Sequence, residues 1–316
     1  MSVAWGILST ARINRLVLAG ARTSDRVEVV AVASRDPVRA EAYAREQGID
    51  RSYGSYEALL GDEDIDAVYI SLPNSMHVEW SIRALEAGKH VLCEKPLTRR
   101  AAEAERAFDV AERQGRLLME AFMYRHNPQT HRLTSLVDEG AIGRLQLVRA
   151  AFSFTAQPAT NIRLLGELDG GALMDVGCYC VSASRLLAGE PTRLHGEQVL
   201  GAGGVDVRFA GLMQFEGDVL AHFDCGLDLP SRDELEVVGS EGSLFLDDPT
   251  HARTPVIELR REGGTERIEV EPADSYQLQL ENMSDAIRGE AEPLLGREDA
   301  VGQARALEEL YRSAAA

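Results

Sequence analysis

The chain has 316 residues, 45% hydrophobic and 27% charged, and 33 Lys and Arg against 51 Asp and Glu leave a formal charge of −18. At roughly 150 residues per domain this is an ordinary two-domain globular composition, which excludes a disordered chain, a collagen-like repeat and a disulfide scaffold. It also argues against a free-standing nucleic-acid binder, because a phosphate backbone would repel such a charge. No stretch reaches the roughly 20 apolar residues of a membrane helix, so no membrane partner is expected. The opening Met1–Gly6 has no basic leader or apolar core of a signal peptide. The four cysteines (Cys93, Cys178, Cys180, Cys225) are too few for a disulfide framework over this length. Together these features suit a reducing, cytoplasmic setting.

The first third alternates strand and helix signals. Val3–Leu8 is an apolar run, followed by a helical stretch at Arg12–Gly20. Val27–Ala33 reads as a strand and Pro37–Gln47 as a helix with proline in its first turn. Ala67–Ser71 is strand-like, Ser75–Ala87 helical with a stop at Gly88, His90–Cys93 a short strand, Thr98–Gln114 helical and Leu117–Glu120 a strand. This alternation predicts a doubly wound α/β domain with a parallel sheet, which binds ligands beyond the carboxyl ends of its strands. From about Ala121 the pattern changes. Helices are predicted at Thr130–Asp138 and Ala172–Leu187, and strands at Leu145–Phe154, Val205–Phe215, Val219–Cys225, Glu234–Gly239, Ser243–Leu246, Val256–Arg260 and Arg267–Val270. Turn signals such as Glu216-Gly217-Asp218 join them in hairpin succession, so this second domain, 121–296, is α+β with a largely antiparallel sheet. Asp233–Gly239 alternates polar and apolar residues, which leaves one sheet face solvated or paired. Helices return at Tyr276–Arg288 and Arg297–Tyr311.

The first strand-to-helix turn, Gly6-Ile7-Leu8-Ser9-Thr10-Ala11-Arg12-Ile13-Asn14, lies where a dinucleotide fingerprint belongs. A helix N-terminus there offers N–H groups and a positive dipole end to a pyrophosphate. Ser9, Ala11 and Asn14 stand where glycines are expected, so the motif alone is weak. At the end of the second strand comes Ser34-Arg35-Asp36. An NAD site wants a carboxylate here for the ribose 2′-OH, and an NADP site wants an Arg for the 2′-phosphate. Pro37 follows Asp36, so Asp36 is expected to cap the next helix and Ser34-Arg35 to suit NADP. Leu72-Pro73-Asn74, with His77, and Glu94-Lys95-Pro96 follow two further strands. A lysine at such a strand end can donate to a substrate oxygen or hold a neighbour's pKa down. Asp175 and Tyr179 are four apart on a predicted helix and so share a face, where a carboxylate and a phenol can serve proton transfer. Cys178 and Cys180 do not share a face and have no second pair, so no metal is expected and the cysteines read as packing residues.

Taken together these segments resemble the glucose–fructose oxidoreductase / inositol dehydrogenase / MocA family. The resemblance rests on Gly88-Lys89-His90-Val91-Leu92-Cys93-Glu94-Lys95-Pro96-Leu97, on Leu72-Pro73-Asn74 with His77, on Ala121–Pro128 and on Gly171–Tyr179. Within the family the chain is similar to the branch of NADP-dependent xylose dehydrogenases and dimeric dihydrodiol dehydrogenases. The resemblance implies a Rossmann-like domain (1–120, joined in space by the last helix, 297–316) and a substrate and dimerisation domain. It implies a nicotinamide enzyme, NADP preferred with NAD as a further option, acting on a C–H(OH) centre of a sugar or cyclic alcohol. It puts the family lysine on Lys95, the acid/base on Tyr179 and the D-x-G aspartate on Asp175, with Tyr124 and Arg163 toward substrate. It puts Gly6, Ser9, Thr10, Ala11, Arg12, Ile13, Ser34, Arg35, Leu72, Pro73, Asn74, His77, Glu94 and Lys95 toward the cofactor. Tyrosine at 179, where many members carry histidine, argues against inositol-type substrates. The open sheet face implies a dimer or dimer of dimers. Two alternatives stay open: a ketosugar reductase on a free or nucleotide-linked sugar, and a non-catalytic NADP-sensing regulator.

Overall fold

Short apolar strands and amphipathic helices alternate along the chain as far as β6. The order is β1 (Val3–Leu8), α1 (Asn14–Arg22), β2 (Val27–Ala33), α2 (Pro37–Gln47), β3 (Arg51–Tyr53), α3 (Tyr56–Leu60), β4 (Ala67–Ile70), α4 (His77–Glu86), β5 (His90–Cys93), α5 (Ala101–Gln114) and β6 (Leu118–Glu120). Then come α6 (Pro128–Asp138), β7 (Leu145–Thr155), α7 (Cys178–Ala188), β8 (Arg193–Leu200), β9 (Asp206–Gln214), β10 (Leu220–Gly226), β11 (Asp228–Gly239), β12 (Ser243–Asp247), β13 (Val256–Arg261) and β14 (Gly264–Glu269). The chain closes with α8 (Ser275–Ile287) and α9 (Arg297–Ala314). The computed structural model describes residues 2–157 and 161–315.

Two units emerge. The first holds residues 1–98, 102–123 and 274–301, and the second 99–101, 124–273 and 302–316. The sequence boundary near residue 121 falls three positions before the second unit's main segment, which starts at residue 124. The segment that returns to the first unit is 274–301, which takes in α8, packed on α1 and β2, and the opening of the expected 297–316, while residues 302–316 fall in the second unit.

The first unit is a six-stranded parallel sheet in the order β3-β2-β1-β4-β5-β6. This is the doubly wound order in which the strand sequence reverses beside β1, opening a crevice at the carboxyl ends of β1 and β4. Trp5, Ile7, Val32, Tyr69, Ile70 and Leu92 fill its core. The Trp5 indole donates to Ser284 Oγ at 3.2 Å, fixing α8 to β1. A Cβ at Gly20 would meet the Gln277 backbone nitrogen at 2.6 Å, so glycine lets α1 and α8 approach.

The second unit is an eight-stranded sheet, β14-β13-β12-β11-β7-β10-β9-β8, antiparallel except where β10 runs parallel to β7. Val148, Phe209, Met213, Phe223 and Val237 are buried, with α7 over β7 and β10. Residues of opposite parity on the same strands, among them Arg149, Leu212, Leu220 and Glu236, form a second face that is polar with isolated apolar positions. Strands β3 and β8 and the short α3 are absent from the sequence reading.

Candidate active site

In the first unit the turn after β1 is built without its expected glycines. Ser9 takes a φ of 117°, a conformation that favours glycine. Its hydroxyl donates to Ser71 O at 3.0 Å and accepts the Ala11 N–H at 3.1 Å. Ser71 Oγ in turn donates to Asn14 Oδ1 at 2.6 Å, and Asn14 Nδ2 donates to Ser9 O at 2.9 Å. The residues that replace glycines therefore hold each other, and Asn14 is wholly buried at the start of α1. Gly6 was expected at the cofactor. It lies inside β1, where a Cβ would meet Leu59 Cδ2 at 2.7 Å, so glycine also serves close packing there.

Thr10, Ala11 and Arg12 line a cleft of about 250 Å³ with Arg15 and Arg39, and Glu46 is the acid among its walls. Ile13 precedes the helix, half-buried. Three guanidiniums beside a helix N-terminus suit a phosphorylated ligand. At the end of β2, Ser34 is buried and Asp36 caps α2, accepting from Val38 N at 2.9 Å and Arg39 N at 3.2 Å. The sequence expectation for Asp36 holds. Burial pushes the Tyr56 hydroxyl pKa up, and the charges of Arg35 and Arg39, with a hydrogen bond from Arg35, pull it back.

The two loops beyond β4 and β5 are tied together. His77, 1% exposed, sets Nε2 2.8 Å from Leu72 O and Nδ1 2.9 Å from Pro96 O. It was expected to touch the cofactor; both ring nitrogens lie within hydrogen-bond distance of backbone carbonyls, and the neutral ring donates its one N–H to one of them. Its place is that of a strut between the loop of Pro73 and Asn74 and the loop of Lys95. Burial lowers its pKa, and the Lys95 charge adds to this against the two carbonyls. The Lys95–Pro96 peptide is cis. Glu94 accepts from the buried Tyr69 hydroxyl, whose pKa is raised first by burial and then by that carboxylate. Glu120, which sequence reasoning missed, accepts the Leu97 N–H at 2.7 Å and anchors the far end of the same loop.

In the second unit Asp175 lies within an unforeseen π turn over Leu173–Gly177, and Tyr179 follows it at the start of α7. Such wide turns recur at functional sites. Arg163 Nε donates to Asp175 Oδ2 at 2.7 Å, so two predicted site residues meet. Tyr124, 4% exposed, shares a hydrogen bond with Ser182 Oγ at 2.8 Å and packs edge-on to Tyr179, ring centroids 5.8 Å apart. Phe152 lies 5.6 Å from Tyr179 on another side, and His251 6.1 Å beyond it. Neither was foreseen, because the neighbours come from distant strands. Behind this row is an apolar cavity of about 20 Å³, room for about one water. Donor atoms of Asp233, Asp248 and His251 lie within 4.8 Å of one another, already engaged with Thr250 and Arg253. All four cysteines are buried and unbridged, and burial pushes the Cys93, Cys180 and Cys225 thiols well up, which makes them packing groups.

Comparison with known proteins gives consistent matches. A family model described as Gfo/Idh/MocA oxidoreductase, NAD-binding Rossmann fold, matches residues 4–122, and the Gfo/Idh/MocA C-terminal domain model matches 130–245. The chain is 39% identical over 317 residues to a D-xylose 1-dehydrogenase (NADP+) of Haloferax volcanii, covering 98% of this chain and 97% of that one. It is 33% identical over 259 residues to a trans-1,2-dihydrobenzene-1,2-diol dehydrogenase of Danio rerio, covering 81% and 77%. A crystal structure of a 3-ketoreductase from Actinomadura kijaniata with NADP and TDP-benzene superposes with a TM-score of 0.92 at 32% identity, over 99% of this chain and 98% of that one. Among the described residues no helix is long and apolar enough to cross a membrane.

Proposed function

The chain belongs to the Gfo/Idh/MocA oxidoreductase family, and from this we propose that it is an NADP-dependent dehydrogenase. It moves a hydride between the nicotinamide and a C–H(OH) carbon of a sugar, an aldose such as xylose or glucose giving the lactone, or of a cyclic diol. The observation that carries the cofactor choice is Asp36. Its carboxylate is spent on the α2 N-terminus, while Arg35 just after β2 and Arg39 in the first turn of α2 supply guanidiniums. A ribose 2′-phosphate meets guanidiniums there instead of a carboxylate acceptor. The arginine-lined cleft beside the β1–α1 turn suits a phosphate group of such a dinucleotide.

The bound cofactor supplies the hydride acceptor in oxidation and the donor in reduction. In oxidation Tyr179 takes the hydroxyl proton, and in reduction it returns it. Asp175, aligned by Arg163, orients a substrate hydroxyl. Lys95 supplies a positive charge that favours the deprotonated phenol. Pro73 and Asn74 face the ribose and nicotinamide. Reduction of a ketosugar, free or nucleotide-linked, is the second reading, and the likeness to a 3-ketoreductase favours it. The same proton donor serves it in reverse. The open face of the eight-stranded sheet carries a homodimer contact in this reading, and the setting is cytoplasmic. A panel of aldoses, cyclic diols and ketosugars, followed by absorbance of the reduced cofactor, tests the proposal. Turnover with NADP that disappears in Tyr179→Phe, with NADP binding retained, supports it, and turnover retained at neutral pH by that variant removes the tyrosine from the mechanism.

A further inference from the structure

The helix that carries Asp175 and Tyr179 opens on the π turn Leu173–Gly177. A wide turn at a helix start has poorer internal hydrogen bonding than a regular one and depends on groups outside it. Here the outside group is Asp206 of β9, 2% exposed. One carboxylate oxygen accepts the Leu173 N–H at 2.7 Å, and the other accepts the Tyr311 hydroxyl of α9 at 2.8 Å. Gly171, at φ 123°, runs so close that a Cβ would collide with Asp206 Oδ1 and lie 3.0 Å from the Tyr311 oxygen. The Gly171 N–H donates to Arg163 O at 2.8 Å, and the Arg163 side chain reaches Asp175. Beyond the turn Gln303 Nε2 donates to Cys178 O at 2.8 Å, and Gly177 packs on Cys225, where a Cβ would meet the sulfur at 2.7 Å. A closed circuit thus runs from Asp206 through the π turn to Asp175, on to Arg163 and back to Gly171.

We propose that Asp206, held by Tyr311, is a positioning residue: it sets the π turn and thereby the placement of Asp175 and Tyr179. The proposal rests on the function above only for the roles of the two groups positioned. Leaving a carboxylate in so buried a place has an energetic cost. Burial pushes Asp206 up to about 6, against the Leu173 N–H, the Tyr311 hydroxyl and the more distant Arg99 guanidinium, which pull it down. The other groups around it are the buried thiol of Cys225 on β10 and, through Arg99, the carboxylate of Asp169. Arg99 sits 5.0 Å over the Tyr311 ring. Protonation adds an O–H and removes the negative charge that strengthens both accepted bonds, so the hold on the turn weakens.

Two variants test this. Tyr311→Phe removes only a hydroxyl, since the ring keeps its packing on Phe209 and Arg99. Near pH 6 its kcat is expected to fall about tenfold, the worth of a hydrogen bond to a charged group, with KM for NADP within about twofold. Because that hydroxyl holds the carboxyl's pKa down, its loss moves the acid limb of kcat to higher pH, and activity recovers near pH 8. Asp206→Asn has no charge to titrate there and flattens the limb. In both variants hydrogen exchange at the amides of residues 173–177 is expected to quicken. Unchanged exchange, or an unchanged acid limb with unchanged kcat, overturns the proposal. Should the wild-type protein turn over no sugar or diol, the functional reading falls, and the exchange measurement alone decides whether Asp206 anchors the turn.

Discussion

Ser9 keeps a side chain at φ 117° because its hydroxyl and carbonyl are both tied into the Ser71–Asn14 network. Conformations of this kind cost on the order of 1–3 kcal/mol and persist where the surroundings hold them. The network joins residues about 60 positions apart, so the sequence displayed only the missing glycines and not what compensates them. Arg35 could be singled out from the sequence because strand-end chemistry is local. Arg35→Ala is expected to raise the KM for NADP about tenfold or more while leaving that for NAD nearly unchanged, as steady-state kinetics with both cofactors will measure. Equal effects would refute the 2′-phosphate role. His126 governs a different property. Its buried Nε2 has no hydrogen-bond partner, and burial, with His131 and Arg125 adding to it, pushes its pKa down to about 3. The unfolded chain binds a proton near pH 6.5 and the native state does not. Stability from this group is therefore complete above that value and is lost as pH falls toward 3, by roughly 5 kcal/mol in all. Asp206 acts in the opposite sense, since its native carboxyl holds a proton up to about 6, and its contribution fades as pH rises through that window. His126→Phe should flatten the fall of Tm between about pH 6.5 and pH 4. A slope as steep as that of the wild type would show that another group controls it.

At the scale of elements, the helix that starts at Pro37 was readable from Asp36 and Pro37 together, and the cap is found in place. Asp36→Ala is expected to lower stability by about 1 kcal/mol in denaturant titration. Because the carboxylate is spent on α2, the same change should leave the preference for NADP over NAD intact. A marked shift in preference would mean that Asp36 reaches the ribose after all. Strand β3 has three residues and α3 five, too few for periodicity to register. The π turn was also invisible. Asp175 and Tyr179 were placed on one face by a regular four-residue spacing, and the carboxylate that accepts the Leu173 N–H and the hydroxyl bound to it come from β9 and α9, more than 30 residues away.

Across the whole molecule, alternation of strand and helix sufficed for the parallel sheet, and hairpin signals sufficed for most of the second. Where α8 docks was not readable, because its seat is the bare backbone of Gly20 and the indole of Trp5, both from the start of the chain. The open face of the eight-stranded sheet exposes 48% of Leu212 and 42% of Leu220 between charged neighbours such as the Arg149–Glu236 pair. A twofold contact there would place each such residue against its own copy's face. Leu212→Arg is therefore expected to shift the elution of a dimer to that of a monomer, and identical elution of variant and wild type would place the contact elsewhere.

The central claim, a direct hydride transfer between a sugar carbon and a nicotinamide assisted by Tyr179, is tested most directly with an aldose deuterated at its anomeric carbon. Incubated with NADP+, the wild-type protein should deliver the label to the reduced nicotinamide, and Tyr179→Phe should deliver none. Reduced cofactor without label, or a panel in which no aldose or cyclic diol reduces NADP+ and no ketosugar oxidises NADPH, would contradict the account.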